Sequence, residues 1–378
     1  MRVLKSILKG INHIIPKSNT IIFNSYPPYS DNALALYNYI IEDRPDITSK
    51  YKILWGQETI STAGVMTKGI INPFIKKSPA GVWRFLRAKY IITTHGYFPG
   101  VTSGSGQTQI NLWHGCGYKT ITEADKIYRG DETIVTSDLY RQIHASIFEM
   151  DETHVHVTGY PRNDLLFKPS NALEKLGITS EYKIYIWLPT YRKAALGHDG
   201  IDGSENSFGI GTIDEQHFLE LNAQLKKQGV FLIIKTHPMD TIQIDNVNQY
   251  SNIACMTNQN LKEMNVDLYD LLPCTDGLLS DYSSVIVDYL LLDKPIAMVL
   301  SDQEEYKNTR GFVFDPVEDY FPGPIINDFS GLLEYFQNRE IIDNKWKEKR
   351  EQLKDLFHKY SDDKSCERVC NLIWGRKI

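Results

Sequence analysis

The stretch ETIVTSDLYRQIHASIFEMDETHVHVTG, residues 132–159, carries the pattern that decides the fold. Its two ends, 132–137 and 154–159, are short apolar segments rich in β-branched residues, which favour strands. The stretch between them, 137–150, has helical spacing and begins with Ser and Asp, which commonly cap helices. A strand, a helix and a second strand in this order are typical of a parallel sheet with helices on its faces.

The same alternation extends in both directions along the chain. Further strands are predicted at 20–26, 51–56, 89–94, 109–114, 183–189, 230–237, 253–256, 276–280 and 295–300. Further helices are predicted at 31–43, 214–228, 283–292, 328–340 and about 343–375. The segment 161–180 carries Pro and polar residues without a strand pattern, and we expect it to be a linker.

The chain has 378 residues, which favours two domains over one hydrophobic core. We expect an N-terminal Rossmann-like domain at 1–170, a C-terminal one at 171–350, and helices at 351–378 that pack near the domain junction. Two such α/β domains in series suggest a cleft, with ligands at the carboxyl ends of the strands.

Composition narrows the class of protein. Hydrophobic residues make up 42% and charged residues 23%, as in an ordinary soluble globular protein. A net charge of −6 argues against nucleic acid as the main partner. The five cysteines form no CxxC pair, which favours reduced thiols over disulfides or a metal site. We expect no dedicated metal site and no cofactor, although a divalent ion accompanying a pyrophosphate is left open.

The N-terminus, MRVLKSILKGINHIIPKSN, has apolar residues at helical spacing with Lys and Arg between them. It lacks the uninterrupted apolar run of a membrane span or signal peptide. Two interpretations remain open. One is a basic amphipathic helix that lies on an anionic membrane surface, and the other is a surface helix packed on its own domain.

Polar side chains follow five of the predicted strands, which is more than structural roles alone would give. They include His114 and Gly115; Arg162 and Asp164; Thr190 and Arg192; Lys235 and His237; and Asp281, Ser283 and Ser284. Together these strand ends predict a binding site for an anionic ligand.

The segment SDYSSVIVDYLLLDKP, 280–295, places Ser283 and Ser284 at a predicted helix start, where free N–H groups bind phosphate readily. An ordinary N-cap is the alternative interpretation. Downstream, Arg310 and Gly311 could present a guanidinium group to a phosphate, unless Arg310 forms a surface ion pair.

His114 and His237 are candidates for acid, base or charge stabiliser, because imidazole titrates near neutral pH. Lys119 follows closely behind the WHG motif of His114. Thr190 and Arg192 could hold a nucleotide or its phosphates, or cap a turn.

Taken together, the motifs resemble the CDP-glycerol glycerophosphotransferase family, which includes teichoic-acid primases, teichoic-acid polymerases and related capsule polymerases. They occur in the family's order and cover roughly 110–375. The motifs are WHGCGYKTI (113–121), VTGYPRNDLLF (157–167), WLPTYRK (187–193), IIKTHP (233–238), LSDYSSVIVDYLLLDKPI (279–296) and EEYKNTRGFVFDP (304–316).

The resemblance implies a GT-B-like fold, with two Rossmann-like domains whose parallel sheets face each other across a cleft. It implies an acceptor side in 1–170 and a donor side in 171–350. It also implies peripheral association with the cytoplasmic face of the cell membrane, because the acceptors are lipid-linked.

Residue by residue, the resemblance makes His114 and His237 the essential histidines. It places the DYSS segment, with Asp281, Ser283 and Ser284, on the donor's pyrophosphate, and Arg310 and Gly311 on the family's RGF segment.

Two departures from the family pattern stand out. Cys116, Gly117 and Tyr118 replace the usual Thr-Pro-Leu after WHG. Lys235 stands two places ahead of the HP histidine, where the family has Arg; lysine keeps the charge and loses the bidentate fork. We expect these changes to affect donor or acceptor selectivity.

The expected activity is transfer of glycerol phosphate, or another polyol phosphate, from a CDP-polyol to a hydroxyl group of a lipid-linked or oligosaccharide acceptor. CDP-glycerol and CDP-ribitol both remain open as donors, and CMP is released. We assign His114 as general base, and His237, Lys235, the 283–284 helix start and Arg310 to the charge on the pyrophosphate, although the acid and base could be exchanged.

Two other functions remain open at this point. A GT-B glycosyltransferase of cell-envelope polysaccharide would turn over a UDP-sugar and not CDP-glycerol. A non-catalytic scaffold of an envelope complex would bind the donor without releasing CMP.

Overall fold

The structure, a computed structural model, describes residues 2–60, 67–121, 125–178, 181–189, 210, 213–235, 250–301, 303–309 and 311–375. It contains two compact α/β units. The first unit comprises Met1–Cys116, Ile121–Phe167 and Phe357–Ile378. The second unit comprises Gly117–Thr120 and Lys168–Leu356.

The sheet of the first unit has seven parallel strands within the described residues, in the spatial order β3-β2-β1-β4-β5-β6-β7. The strands are β1 (Ser18–Asn24), β2 (Lys52–Gln57), β3 (Pro73–Ile75), β4 (Ala88–Thr93), β5 (Thr108–Asn111), β6 (Glu132–Val135) and β7 (Val155–Val157). The order reverses between β1 and β4, which is the point where doubly wound sheets bind ligands.

The sheet of the second unit has six parallel strands within the described residues, in the spatial order β10-β9-β8-β11-β12-β13. They are β8 (Lys183–Leu188), β9 (Val230–Lys235), β10 (Ile253–Met256), β11 (Gly277–Ser280), β12 (Ile296–Val299) and β13 (Ile325–Ile326). Here the order reverses between β8 and β11, and the DYSS segment follows β11.

Helices connect the strands. In chain order they are α1 (Arg2–Ile14), α2 (Asp31–Asp43), α3 (Pro45–Thr48), α4 (Pro79–Arg87), α5 (Asp138–Phe148), α6 (Ala172–Lys175), α7 (Glu215–Lys227), α8 (Asn258–Glu263), α9 (Leu268–Leu271), α10 (Val285–Tyr289), α11 (Gln303–Thr309), α12 (Phe329–Phe357) and α13 (Ser365–Trp374).

The central strands are continuous apolar runs because both faces of each sheet are covered. In β1, the side chains of Ile21, Ile22 and Phe23 are fully buried. In β11, the whole segment Gly277–Ser280 is buried. Burial on both faces is expected of parallel sheets, and it explains why the runs in the sequence predicted these strands.

Several elements differ from the predictions. The short edge strands β3 and β13 were missed, since two or three residues are too few to show a period. Helix α4, which has nine residues, was also missed. The predicted helix 283–292 is shorter, because α10 ends at Tyr289 and a 3₁₀ turn continues to Leu292. The predicted helices 328–340 and 343–375 are divided differently, with a non-helical Asn338 inside α12 and a break between α12 and α13.

The predicted linker 161–180 is wrong in its first part. Pro161–Phe167 forms a 3₁₀ turn of the first unit, and its residues Pro161, Arg162, Asn163 and Asp164 are buried. Their burial has a physical reason, since two of the charged side chains bond to distant parts of the same unit, as described below.

The end of α1 is anchored to the first unit by polar contacts. Asn12 is fully buried, and its Nδ2 donates to Gln107 Oε1 at 2.8 Å. Lys17 Nζ donates to Asn12 Oδ1 at 2.8 Å and to Leu86 O at 2.7 Å. Among the described residues, no helix has the length and apolar character needed to cross a membrane.

Candidate functional site

His114 lies in a tight turn that follows β5. The N–H of Trp113 donates to Asn111 Oδ1 at 2.8 Å, and Trp113 has a positive φ of 53°. Gly115 has a φ of 132°, which only glycine adopts without strain. The turn therefore requires a glycine directly after His114, as in the WHG motif.

Side chains from two distant segments bind three successive carbonyl groups of this turn. Asn32 Nδ2 donates to Leu112 O at 3.3 Å and to Trp113 O at 3.0 Å. Arg162 Nη1 donates to His114 O at 2.9 Å. The backbone that carries the His114 imidazole is thus fixed on both sides of the histidine.

Arg162 also forms a buried ion pair. Its Nη1 lies 2.7 Å from Asp31 Oδ1, and the side chains of Arg162 and Asp31 are 8% and 15% exposed. Asn32 Oδ1 accepts from the backbone N–H of Arg162 at 3.2 Å. Asp31 and Asn32 were not among the predicted site residues, because nothing local in the sequence shows contacts across 130 residues.

The His114 imidazole has a defined surrounding. Its Nδ1 lies 3.4 Å from the carbonyl oxygen of Thr94. Its ring stacks on the ring of His95, with centroids 4.2 Å apart and planes 9° apart, and lies 4.1 Å from the Trp113 ring. Because a carbonyl oxygen only accepts, this contact favours the tautomer with the proton on Nδ1, in which Nε2 is the basic nitrogen.

His95 was not among the predicted site residues. The available signal was its place two residues after the end of β4, where the strand order reverses. Ligands commonly bind where the strand order reverses, so a polar residue at that position is a candidate site residue even outside a motif.

Cys116, one of the departures from the family pattern, points into the core of the first unit. It is 2% exposed, with its Sγ 2.9 Å from Tyr160 Oη and 3.8 Å from His144 Nε2. The His144 imidazole is fully buried, and burial lowers its pKa to about 3. The Cys116 side chain thus packs in the core of the first unit, next to the His114 turn.

The low pKa of His144 makes a prediction about stability. The unfolded chain protonates this imidazole below pH about 6.5, whereas the folded protein keeps it neutral. Stability therefore falls as the pH drops from 6.5 towards 3, and His144 alone contributes a loss of about 2 kcal/mol between pH 7 and pH 5.

Urea unfolding at the two pH values checks this expectation in the wild type and in His144→Gln. The variant should lose less stability on acidification than the wild type, whatever its stability at pH 7. An equal loss in both proteins would show that His144 is protonated or accessible in the folded state.

Asp164 was predicted to belong to an anion-binding site, but in the structure its side chain binds the backbone of the C-terminal helix. Its carboxylate oxygens accept from the N–H groups of Ser365 and Cys366, both at 2.8 Å, at the start of α13. Burial raises the pKa of Asp164, and these two hydrogen bonds oppose the shift. We interpret Asp164 as the residue that holds the C-terminal helix on the first unit.

In the second unit, the DYSS segment starts at the switch point of the sheet. Ser280 Oγ donates to Leu188 O at 2.7 Å and joins the ends of β11 and β8. Asp281 follows and is 2% exposed. The N–H of Val285 donates to Ser283 Oγ at 3.4 Å.

The residues after the WHG turn belong to the second unit and contact both of its predicted donor-binding segments. A side chain at Gly117 would bring its Cβ within 3.2 Å of Ser284 Cα, so the two backbones lie very close together. The N–H of Thr120 donates to Gly311 O at 3.2 Å, and the N–H of Val313 donates to Tyr118 O at 2.9 Å.

Two side chains of this segment add to the contact. Tyr118 is fully buried, and its hydroxyl donates to Tyr320 O at 3.1 Å. Lys119 pairs with Phe312 in an isolated antiparallel bridge, and its Nζ lies 5.6 Å from the Tyr306 ring centre. Gly311 has a φ of 77°, which explains the glycine in the RGF motif.

The structure therefore brings the predicted residues together in two sets. His114, Gly115 and Arg162 lie together in the first unit. Lys119, Ser283, Ser284 and Gly311 lie in the second unit with Asp281. Lys235 ends β9, which is separated from β11 by β8. Thr190, Arg192, His237 and Arg310 lie outside the described residues.

Among the residues that the structure describes, no group of three or more His, Cys, Asp or Glu side chains is arranged to hold a metal ion.

A family profile, CDP-Glycerol:Poly(glycerophosphate) glycerophosphotransferase, matches residues 7–375. The chain belongs to this family. The resemblance that the sequence motifs indicated is therefore confirmed.

Individual members of the glycerophosphotransferase family are similar to the chain over nearly its whole length. The teichoic acid ribitol-phosphate polymerase TarL of Staphylococcus aureus is 28% identical over 96% of this chain and 63% of its own length. The teichoic acid poly(glycerol phosphate) polymerase of Staphylococcus epidermidis is 25% identical over 94% of this chain and 50% of its own length. The chain thus spans half to two thirds of these relatives.

A relative of matching length also exists. The teichoic acid glycerol-phosphate transferase of Staphylococcus aureus is 24% identical, over 95% of this chain and 94% of its own length.

Solved structures confirm the predicted fold class. A structure of the wall teichoic acid polymerase TagF has a TM-score of 0.78 at 24% identity, over 98% of this chain and 94% of that chain. The UDP-GlcNAc 2-epimerase of Neisseria meningitidis, at 12% identity, covers 95% of this chain and 99% of that chain with a TM-score of 0.51. This chain therefore has two parallel-sheet α/β domains of the GT-B-like class.

Proposed function

We propose that this glycerophosphotransferase family member moves a polyol phosphate from a CDP-polyol to a hydroxyl group of a lipid-linked or oligosaccharide acceptor. The polymer would be a teichoic acid or a capsule. The observation that carries the proposal is the His114 turn, in which side chains bind three successive carbonyl groups and the backbone carbonyl of Thr94 accepts a hydrogen bond from His114 Nδ1.

The reaction is a displacement at phosphorus. The acceptor oxygen forms a bond to the phosphorus that carries the polyol, and the bond from that phosphorus to the bridging oxygen of the pyrophosphate breaks. CMP leaves with the bridging oxygen, and the acceptor proton moves to a base. Such reactions require mainly positioning and charge stabilisation from the protein.

His114 is the base in this proposal. The contact of its Nδ1 with Thr94 O leaves the Nε2 lone pair to accept the proton of the acceptor hydroxyl. The first unit, which carries His114, is accordingly the proposed acceptor side.

The second unit is the proposed donor side. Its support is the DYSS segment at the point between β8 and β11 where the strand order reverses, which is where doubly wound sheets bind nucleotides. Lys235 ends β9, on the other side of β8. We assign the donor pyrophosphate to Ser283, Ser284 and Lys235, and also to Thr190, Arg192, His237 and Arg310 outside the described residues. Asp281, Gly311 and Lys119 support this set.

Adding a methyl group at Gly117 should weaken donor use, because its Cβ would lie 3.2 Å from Ser284 Cα and must displace it by a few tenths of an ångström. We expect Gly117→Ala to lower kcat/KM for the CDP-polyol by about tenfold, mostly through KM. Steady-state CMP release over a range of donor concentrations measures this effect.

Gly331→Ala is the matched control in the same unit, since its Cβ would make only ordinary contacts of 3.5 Å or more. Unchanged donor KM in Gly117→Ala would argue against a phosphate site at Ser284.

Membrane binding belongs to the same proposal. Helix α1 exposes Ile11 and Ile14, at 42% and 81%, and α4 exposes Trp83, at 53%, with Arg87 6.0 Å from its ring. Exposed apolar residues beside basic ones suit an anionic membrane surface, and we propose the cytoplasmic face of the cell membrane. Co-sedimentation with phosphatidylglycerol vesicles tests this, since Ile14→Glu should reduce binding and uncharged phosphatidylcholine vesicles should bind less.

The decisive experiment offers CDP-glycerol, CDP-ribitol and a UDP-sugar with a short lipid-linked or oligosaccharide acceptor. Relatives named for glycerol phosphate and for ribitol phosphate are similarly close, and a TagF structure was obtained after a CDPG soak, so both CDP donors are included. CMP release and a mass increase of the acceptor by one or more polyol phosphates would support the proposal. Turnover of the UDP-sugar alone, or donor binding without CMP release, would overturn it.

A further inference from the structure

His95 is the second residue after β4, one of the two strands between which the order of the first sheet reverses. Strand β4 pairs with β5, so the residues that follow these strands, His95 and His114, come together. Their rings are nearly parallel, with centroids 4.2 Å apart. Such a stack fixes the plane of the His114 imidazole.

Thr94 connects the two rings through its own polar atoms. It is fully buried, so its position is fixed by the core. Its Oγ1 lies 2.8 Å from His95 Nδ1, and its carbonyl oxygen lies 3.4 Å from His114 Nδ1. Rotation of the His114 ring by half a turn would replace Nδ1 by a carbon atom at that carbonyl and would move Nε2 to the other side.

His95 is itself supported on another side. The ring of Tyr26, which follows β1, meets the His95 ring edge-on at 5.9 Å. His114 also lies 4.1 Å from Trp113. The stack therefore contains side chains from the ends of three adjacent strands, β1, β4 and β5, and all of them bear on the orientation of one imidazole.

We propose that His95 is a positioning residue for His114, whose stacked ring holds the His114 imidazole in the orientation and Nδ1–H tautomer that keep Nε2 basic. The inference rests on the proposed function, in which His114 accepts the acceptor proton. His95 itself transfers no proton in this account. Loss of the ring should therefore lower the rate of the chemical step and leave donor binding unchanged.

Kinetics of His95→Ala and His95→Phe test the proposal, because phenylalanine keeps a flat ring and loses both nitrogens. We expect His95→Ala to lower kcat for CMP release from CDP-glycerol by about 10–10²-fold, with donor KM within about twofold of wild type. His95→Phe should recover most of that loss. The control His154→Phe replaces a half-exposed histidine that pairs with Glu132 in the same unit, and should behave as wild type.

Equal losses in the alanine and phenylalanine variants would overturn a positioning role for the ring. So would a loss confined to donor KM, or no loss in His95→Ala. Circular dichroism and thermal unfolding identify a variant that fails to fold, in which case His95→Phe and the measurement below decide.

Histidine side-chain NMR decides the question independently of activity. Long-range ¹H–¹⁵N spectra of the full chain labelled with [¹⁵N]histidine report the tautomer of each imidazole, and a His114→Ala spectrum identifies the His114 signals. We expect the Nδ1–H form in the wild type and in His95→Phe, and a tautomer mixture in His95→Ala. An unchanged tautomer in His95→Ala would refute the inference, whereas absence of CMP release in the wild type would refute only the proposed function.

Discussion

Replacing His114 with alanine is expected to lower the rate of CMP release by about 10²–10⁴-fold, the range for loss of a proton-transferring group. The reason is that Nε2 of His114 is the basic nitrogen of a ring whose Nδ1 faces Thr94 O. Donor KM should change little, since the residues proposed for the pyrophosphate belong to the second unit. Single-turnover measurement with CDP-glycerol and a short acceptor separates binding from chemistry.

The matched control for this variant is His154→Ala, which removes a histidine of the same unit that pairs with Glu132. It should retain the wild-type rate. Because the turn around residue 114 is held through its backbone carbonyls, His114→Ala should fold normally and keep the wild-type circular dichroism spectrum. Wild-type turnover in His114→Ala would remove the histidine from the mechanism.

Arg162→Ala should lower the free energy of unfolding more than any other substitution proposed in this protein. Arg162 and Asp31 form an ion pair in which both side chains are largely buried, and removing the arginine leaves an uncompensated carboxylate. Breaking a buried pair in this way typically costs about 3–5 kcal/mol. Activity should fall as well, because Arg162 Nη1 also binds His114 O.

Urea unfolding of the single variants Arg162→Ala and Asp31→Asn, and of the double variant Asp31→Asn/Arg162→Ala, measures the coupling. We expect the double variant to lose clearly less stability than the sum of the single losses, because it leaves neither charge buried alone. Arg162→Lys keeps the charge and provides the matched control for the geometry. Additive losses would show that the ion pair contributes nothing beyond its separate residues.

The strands could be predicted because parallel strands covered on both faces are continuous apolar runs, as in VFLIIK of β9. The position of Asp281, Ser283 and Ser284 after a strand could be predicted, because β11 is an apolar run that the sequence shows directly. Their role in phosphate binding stays a prediction. In contrast, β13 consists of Ile325 and Ile326 alone and offers no period.

The pairings within the site could not be predicted. The stack of His95 and His114 depends on the neighbourhood of β4 and β5, and no local pattern contains the spatial order of strands. Likewise, the contact of Arg162 with Asp31 joins residues 131 positions apart. The sequence shows that Cys116 departs from the family pattern. It does not show that Cys116 contacts His144, because that contact depends on how α5 packs.

The first unit is completed by residues from the end of the chain, which matters for the order of events during synthesis. Lys359 donates its N–H to Thr136 O at 2.9 Å, and Asp164 binds the start of α13. During synthesis on the ribosome, Lys359 and α13 are made only after every residue of the second unit. Until then, the Tyr140 ring lacks the Phe357 ring that lies 5.5 Å from it, and the Asp164 carboxylate lacks the two N–H groups that it binds. A chain stopped before residue 357 would therefore leave the first unit incomplete.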